Sequence, residues 1–210
     1  KDEAYHNGTV WTWLAGPVIS SLLMFNRQEL AFNLFYDEAI QILQDDAIGN
    51  YAELRDALPR EGQDEPSISG TISQAWSLAE FTRNFYQDFI GYQPNVLDQS
   101  IIFNPKIPGE LQYISSILPY ANNFISFIYT TDEENISFEF SMEGGKNTVE
   151  IMLKFPGFDP VKFHLQSDNP SFIISLNPKN QRSYHYYTDL EWYFTQPELI
   201  EDLKAIYKPD

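Results

Sequence analysis

Apolar residues recur at three- and four-residue steps in the first half of the chain and at two-residue steps in the second. Ile72, Ala75, Trp76, Ala79, Phe85 and Phe89 follow the helical period, which predicts a helix over 70–90 with Gly91 as its C-cap. Leu30, Leu34, Phe35, Ile42 and Leu43 predict an amphipathic helix over 29–44, with Asp37, Glu38, Asp45 and Asp46 among them. Val18 to Phe25 follows Ala15-Gly16-Pro17 and reads as a short, well-buried helix, Pro17 suiting its first turn. Between the last two helices, 47–69 has no sustained period and contains Gly49, Pro59, Gly62 and Pro66. It is expected to be a long loop, and loops of that length in compact domains are usually functional or disordered.

From about Leu97 the pattern alternates instead. The runs 99–103, 123–129, 136–140, 148–153, 161–165 and 172–176 read as short strands, several half-buried, with hairpin turns at 132–135 and 144–147. Such strands with turn signals suggest a small antiparallel sandwich. A short helix is expected over 196–207. The fold class is thus α+β by segments: helices over 1–95, then an all-β domain over 96–210 with a C-terminal helix, the boundary lying near Tyr92-Gln93-Pro94-Asn95. Three helices and a long loop leave much apolar surface uncovered, so the helical part is expected to be a piece of a larger all-α fold.

Composition narrows the partners. The 210 residues carry a net charge of −17, with acid spread over both halves, which argues against nucleic acid and anionic membrane. Hydrophobic residues make up 43% and charged residues 20%, an ordinary globular balance. The chain has no Cys, so disulfides, thiolate chemistry and Cys-built zinc sites are excluded. His164 and His185 have no spacing that suggests a metal. No membrane helix or signal peptide is visible, and a cytoplasmic location is expected, with a periplasmic one as the alternative.

Aromatic residues reach 16%, and three of them share one polar stretch with a His, an Asn and a Gly, Tyr5-His6-Asn7-Gly8-Thr9-Val10-Trp11-Thr12-Trp13. Flat rings beside amide and imidazole groups suit a sugar site, where the rings lie against a pyranose face and the polar groups take hydroxyls. A turn with buried aromatics fits the same residues. Tyr184-His185-Tyr186-Tyr187 could form a stacking platform for glucan or an edge strand with exposed aromatics. Asn7-Gly8-Thr9 and Asn135-Ile136-Ser137 match the N-glycosylation pattern, which is too short to carry weight.

Tyr5 to Pro17 resembles the Tyr-His-Asn-Gly-Thr-Val-Trp-Pro-Trp-Leu-x-Gly-Pro motif of bacterial and archaeal glycogen debranching enzymes of the amylo-α-1,6-glucosidase type. Gly70-Thr71-Ile72-Ser73-Gln74-Ala75-Trp76-Ser77-Leu78-Ala79-Glu80 resembles the same family's final helix, and Gly49 to Asp56 lies where the family has Gly-Ser-x-Ser-Glu-(Ile/Val)-Phe-Asp-Gly. The resemblance covers residues 5–90. It implies the last helices of an (α/α)6 barrel and removal of single α-1,6-linked glucose units from a trimmed branch point. Inverting glycosidases of this kind need an acid and a base roughly 6.5–9.5 Å apart, with a water between. The base falls by position on Glu53, and the acid is implied to lie upstream of this chain. Asn50-Tyr51-Ala52 and Arg55 depart from the family pattern, as does the stretch Ala57-Leu58-Pro59-Arg60-Glu61-Gly62.

The resemblance also suggests substrate-binding roles for Tyr5, His6, Asn7, Trp11, Asp56 and Gln74. Glu61 and Glu65 are the fallbacks for the base. Trp11 could instead be core, and Trp76, on an apolar helical face, reads as core. Neither metal nor cofactor is implied, since acid/base hydrolysis uses only carboxyls and water. The expected partners are glycogen or a related α-glucan and the remaining N-terminal part of the same enzyme. A non-catalytic carbohydrate-binding or scaffolding module, or a related α-glucosidase on the same barrel, remains the alternative.

Overall fold

The computed structural model describes residues 8–44, 48–145, 147–168 and 170–187. Two compact units emerge: residues up to Tyr92 with Pro105–Pro108, and Gln93–Asn104 with the residues from Gly109 onward. The helix expected over 196–207 lies outside the described residues.

The first unit begins with strand β1 (Thr9–Trp11), a 3-10 turn (Thr12–Leu14) and helix α1 (Ala15–Met24). Helix α1 buries only Gly16, Ile19 and Leu23, whereas Val18, Met24 and Phe25 are exposed, so it is less covered than its composition suggests. It ends in a Schellman motif: Asn26 takes a left-handed φ of 57°, and the N–H groups of Arg27 and Asn26 donate to the carbonyls of Leu22 and Leu23. Helix α2 (Gln28–Gln44) follows. Ile19, Leu23, Ala31 and Phe89 form the small core of the helices, with Leu22, Phe32, Leu34 and Phe35 packed against it. The Phe35 ring stacks on Phe81 at 4.4 Å, nearly parallel, and tilts against Phe89 at 5.0 Å.

The stretch expected as a structureless loop contains two short strands, β2 (Leu54–Asp56) and β3 (Ile68–Ser69). They join β1 in a three-stranded sheet of order β1-β2-β3. No periodicity announces strands this short; backbone pairing makes them. The helix expected from residue 70 starts later, because 70–73 turns and bends beside Glu53 and Gln74 is still extended. Helix α3 (Ala75–Arg83) then gives way to a π-helical turn (Asn84–Phe89), in which Ile90 N–H donates to Phe85 O at 3.0 Å. Trp76 is 59% exposed and is not core. Gly91, at φ 71°, terminates the segment as a left-handed residue.

The second unit is a sandwich-like pair of sheets. One has the order β10-β9-β5-β4, built from β4 (Tyr92–Asn95), β5 (Ser100–Phe103), β9 (Val149–Leu153) and β10 (Val161–Leu165). The other has the order β12-β11-β8-β7-β6, built from β6 (Tyr113–Tyr120), β7 (Asn123–Thr131), β8 (Ile136–Gly144), β11 (Ser171–Asn177) and β12 (Arg182–Tyr187). The larger sheet is antiparallel throughout, and in the smaller one β10 pairs antiparallel with β9 while β5 runs parallel to it, a pairing the alternation did not foretell. Alternation drives one face of each strand inward: Ile125, Phe127 and Tyr129 on β7, Phe138, Phe140 and Met142 on β8. Rings of the two sheets meet in the core, with Phe103 stacked on Phe127 at 5.3 Å and Phe163 on Phe172 at 4.0 Å. β12, carrying Tyr184-His185-Tyr186-Tyr187, is an edge strand.

Candidate functional site

Three of the residues singled out in the sequence, Tyr5, His6 and Asn7, lie outside the described residues. The other four are held around one small sheet. Glu53 immediately precedes β2, and Gly70 and Thr71 immediately follow β3. The pairing of Leu54 with Ser69 therefore carries Glu53 to the turn after β3. Its backbone N–H donates to Thr71 O at 2.8 Å, and its carbonyl accepts from Thr12 N–H at 3.2 Å. The side chain is half-buried, and its Oε2 accepts from Thr71 N–H at 3.0 Å. Oε1 has no hydrogen-bond partner among the described residues. One carboxylate oxygen is thus held by the backbone, and the other is an acceptor that the described residues leave open.

Gly70 makes this possible. It sits at φ 76°, and a Cβ there would lie 2.6 Å from Glu53 Oε2. Only glycine gives both the left-handed turn and the room for the carboxylate.

The two residues before Glu53 are locked from three sides. Tyr51 O accepts from Gln74 N–H at 2.8 Å. The Thr12 hydroxyl donates to Ala52 O and stands 2.8 Å from Ser77 Oγ, all of it buried. The Tyr51 hydroxyl donates to Glu38 Oε1 at 3.0 Å. These partners come from three places in the chain: Thr12 after β1, Glu38 in α2, and Gln74 and Ser77 at the start of α3.

Trp11 closes β1, opposite Leu54 in the register. It lines a cavity of about 330 Å³ together with Val10, Leu34, Glu38, Tyr51 and Arg55. The walls are mostly apolar with a few polar groups, as small-ligand sites tend to be. Asp56 does not stand open: Arg60 Nε donates to its Oδ2 at 2.7 Å. Gln74 contributes its backbone N–H, and its half-buried side chain makes no capping bond to α3. The fallback acids Glu61 and Glu65 are exposed.

Reasoning from sequence missed Glu38 and Tyr51. The signal was present, because Glu38 lies four residues from both Leu34 and Ile42, on the apolar stripe of α2 rather than among its solvated acids. It is 3% exposed, and its Oε2 is buried without a hydrogen-bond partner. Burial pushes its carboxyl up to about 7, with the Tyr51 hydrogen bond lowering it and the nearby Glu80 charge raising it. Burial, reinforced by the Glu38 charge, also raises the Tyr51 hydroxyl.

A polar cluster ties α1 to α3 behind the site. Arg83 donates to both Glu80 carboxylate oxygens, to Asp88 and to Ser20. Asn84 Nδ2, fully buried, donates to Gly16 O at 3.0 Å and Asp88 Oδ2 at 2.7 Å. Among the described residues no group of three or more His, Asp and Glu side chains could hold a metal ion, and no helix is long and apolar enough to cross a membrane.

No curated protein and no solved structure matches the chain. Residues 1–83, which hold Glu53 and every other candidate site residue, match the model of the family described as amylo-alpha-1,6-glucosidase.

Proposed function

We propose that this chain is part of an inverting glycoside hydrolase that removes α-1,6-linked glucose from glycogen-type glucans. In this reading its helices are the last of an (α/α)6 barrel, Glu53 is the general base, and the catalytic acid is supplied from outside these 210 residues. The observation that carries the reading is the seating of Glu53 within the family-matched stretch: Oε2 held by Thr71 N–H, and Oε1 unengaged among the described residues. A base so held can take a proton from water while that water attacks the anomeric carbon, and the acid on the far side protonates the leaving oxygen. Trp11 forms a wall for the sugar ring, with Tyr5, His6, Asn7, Asp56 and Gln74 as hydroxyl partners.

The barrel reading is supported by the helix faces left uncovered. Val18, Met24, Phe25, Leu30, Tyr36 and Leu43, on or beside α1 and α2, are exposed among the described residues, and packing against further helices would cover them. The test of the mechanism is the anomer first released by the full-length protein, followed by NMR. Inversion at an α-linkage delivers β-glucose, and initial release of α-glucose would overturn the proposal.

A second reading concerns the β unit alone. Tyr113 and Ile117 on β6 and Phe124 on β7 are exposed, and the register places them on one face of the sheet. This face suits carbohydrate binding or scaffolding. Calorimetry of the whole chain with maltooligosaccharides, compared with its Phe124→Ala variant, tests it. Heat that is lost in the variant supports sugar binding there, and no heat from either protein leaves only scaffolding.

A further inference from the structure

Glu38 is the one fully buried charged side chain among the described residues, and the mechanism above does not use it. Its Oε2 is sealed from solvent and unpartnered, so a bound sugar does not reach that oxygen in this conformation. Among the described residues its one hydrogen bond is through Oε1, which accepts the Tyr51 hydroxyl. Tyr51 is buried too, and it begins the three-residue run that ends at Glu53. That run is clamped by Gln74, Thr12 and Thr71 through its backbone, while Glu38 alone anchors it to α2 through a side chain.

We propose that Glu38 is a positioning residue for Glu53, holding the Tyr51–Glu53 segment in register through the Tyr51 hydroxyl, so that its loss lowers turnover rather than substrate affinity. This rests on the reading of Glu53 as the base. A buried carboxyl with one hydrogen bond and one orphaned oxygen is a poor way to gain stability, since an apolar side chain would fill the same stripe without desolvating a charge. What it supplies is a fixed acceptor at a fixed place. The charged or titratable groups around it are Tyr51, the Glu80 charge from α3 and Arg55, which lines the same cavity. Both the Glu80 charge and burial favour the neutral acid, whose Oε1 still accepts from Tyr51. Glutamine presents the same acceptor.

The experiment is steady-state kinetics of the full-length protein on an α-1,6-glucosyl branched dextrin. Glu38→Leu and Tyr51→Phe each remove the hydrogen bond and should lower kcat about tenfold or more, because small misplacements of a catalytic group are costly. KM should stay within about twofold, and the double variant should be no worse than the poorer single one. Glu38→Gln should keep kcat within about twofold, since its amide oxygen still accepts from the Tyr51 hydroxyl. Tyr51→Phe removes one oxygen and serves if Glu38→Leu does not fold. Wild-type kcat in the folded variants, or a loss confined to KM, overturns the proposal. So does a loss in Glu38→Gln equal to that in Glu38→Leu. Glu53→Gln is measured alongside: if it is active, the reading of the base fails; if it is inactive while Glu38→Leu is not, only the positioning role fails.

Discussion

The Glu53 carboxylate is held 3.0 Å from the Thr71 backbone N–H across a turn where Gly70 carries no side chain. Aim and space therefore come from one short piece of backbone. Gly70→Ala puts a methyl against Glu53 Oε2 and forces an L-residue to keep φ 76°. The backbone penalty is about 1–2 kcal/mol, read as a lowered urea midpoint. Turnover of the folded variant should fall about tenfold or more, because the base must swing away. A variant with normal turnover would show that Glu53 Oε2 need not stay where Thr71 holds it.

Thr12 and Ser77 form the buried hydroxyl pair that carries the Ala52 carbonyl. Thr12→Val keeps the shape and deletes the hydroxyl, leaving Ala52 O and Ser77 Oγ each short of a partner. The expected loss is about 1–3 kcal/mol by denaturant unfolding. Ser77→Ala, which leaves the Thr12–Ala52 bond intact, should cost less. Equal effects would mean that the pair does not act through Ala52.

Glu38 gives stability a pH dependence of unusual sign for a carboxylate. Its pKa rises from 4.5 unfolded to about 7 folded, so the folded state holds the proton more tightly. Its contribution is fully present below 4.5 and is lost as pH rises through about 7. The swing is about 3 kcal/mol at most, from the value of one pKa unit. Unfolding measured from pH 4.5 to 8 should show this decline in the wild type and lose it in Glu38→Gln. Identical pH slopes for the two proteins would contradict it.

Gly16 lets α1 approach α3. A Cβ at Gly16 would stand 2.8 Å from Glu80 Cβ and closer still to its carboxylate. Gly16 O also accepts from buried Asn84. Gly16→Ala should therefore destabilise the protein by about 1–3 kcal/mol despite the better helix propensity of alanine, because the crowded group is held by Arg83. Thermal unfolding checks this, and a raised Tm would show that Glu80 can move aside freely.

The long apolar periods of α2 and the alternation of β7, β8, β9 and β11 were readable in the chain, because each spans enough residues to repeat. The sheet around Glu53 was not: β2 and β3 together have five residues, and their pairing depends on partners that no local pattern specifies. Trp76 showed the limit of period reasoning, since it lies on a helical face that the described residues leave exposed. Glu53 itself came from resemblance to a motif, while Glu38 could have been found by asking why an acid occupies the apolar stripe between Leu34 and Ile42. The parallel pairing of β5 with β9 joins strands far apart in sequence, which composition and spacing do not encode.

A base at position 53 must take a proton, and a single substitution removes that capacity alone. Glu53→Gln preserves shape and can still accept from Thr71 N–H, but it cannot take a proton from water. Hydrolysis of an α-1,6-glucosyl branched dextrin by the full-length variant should fall by roughly 10³-fold or more, while dextrin affinity measured by calorimetry stays near that of the wild type. Turnover within about tenfold of the wild type would contradict the account.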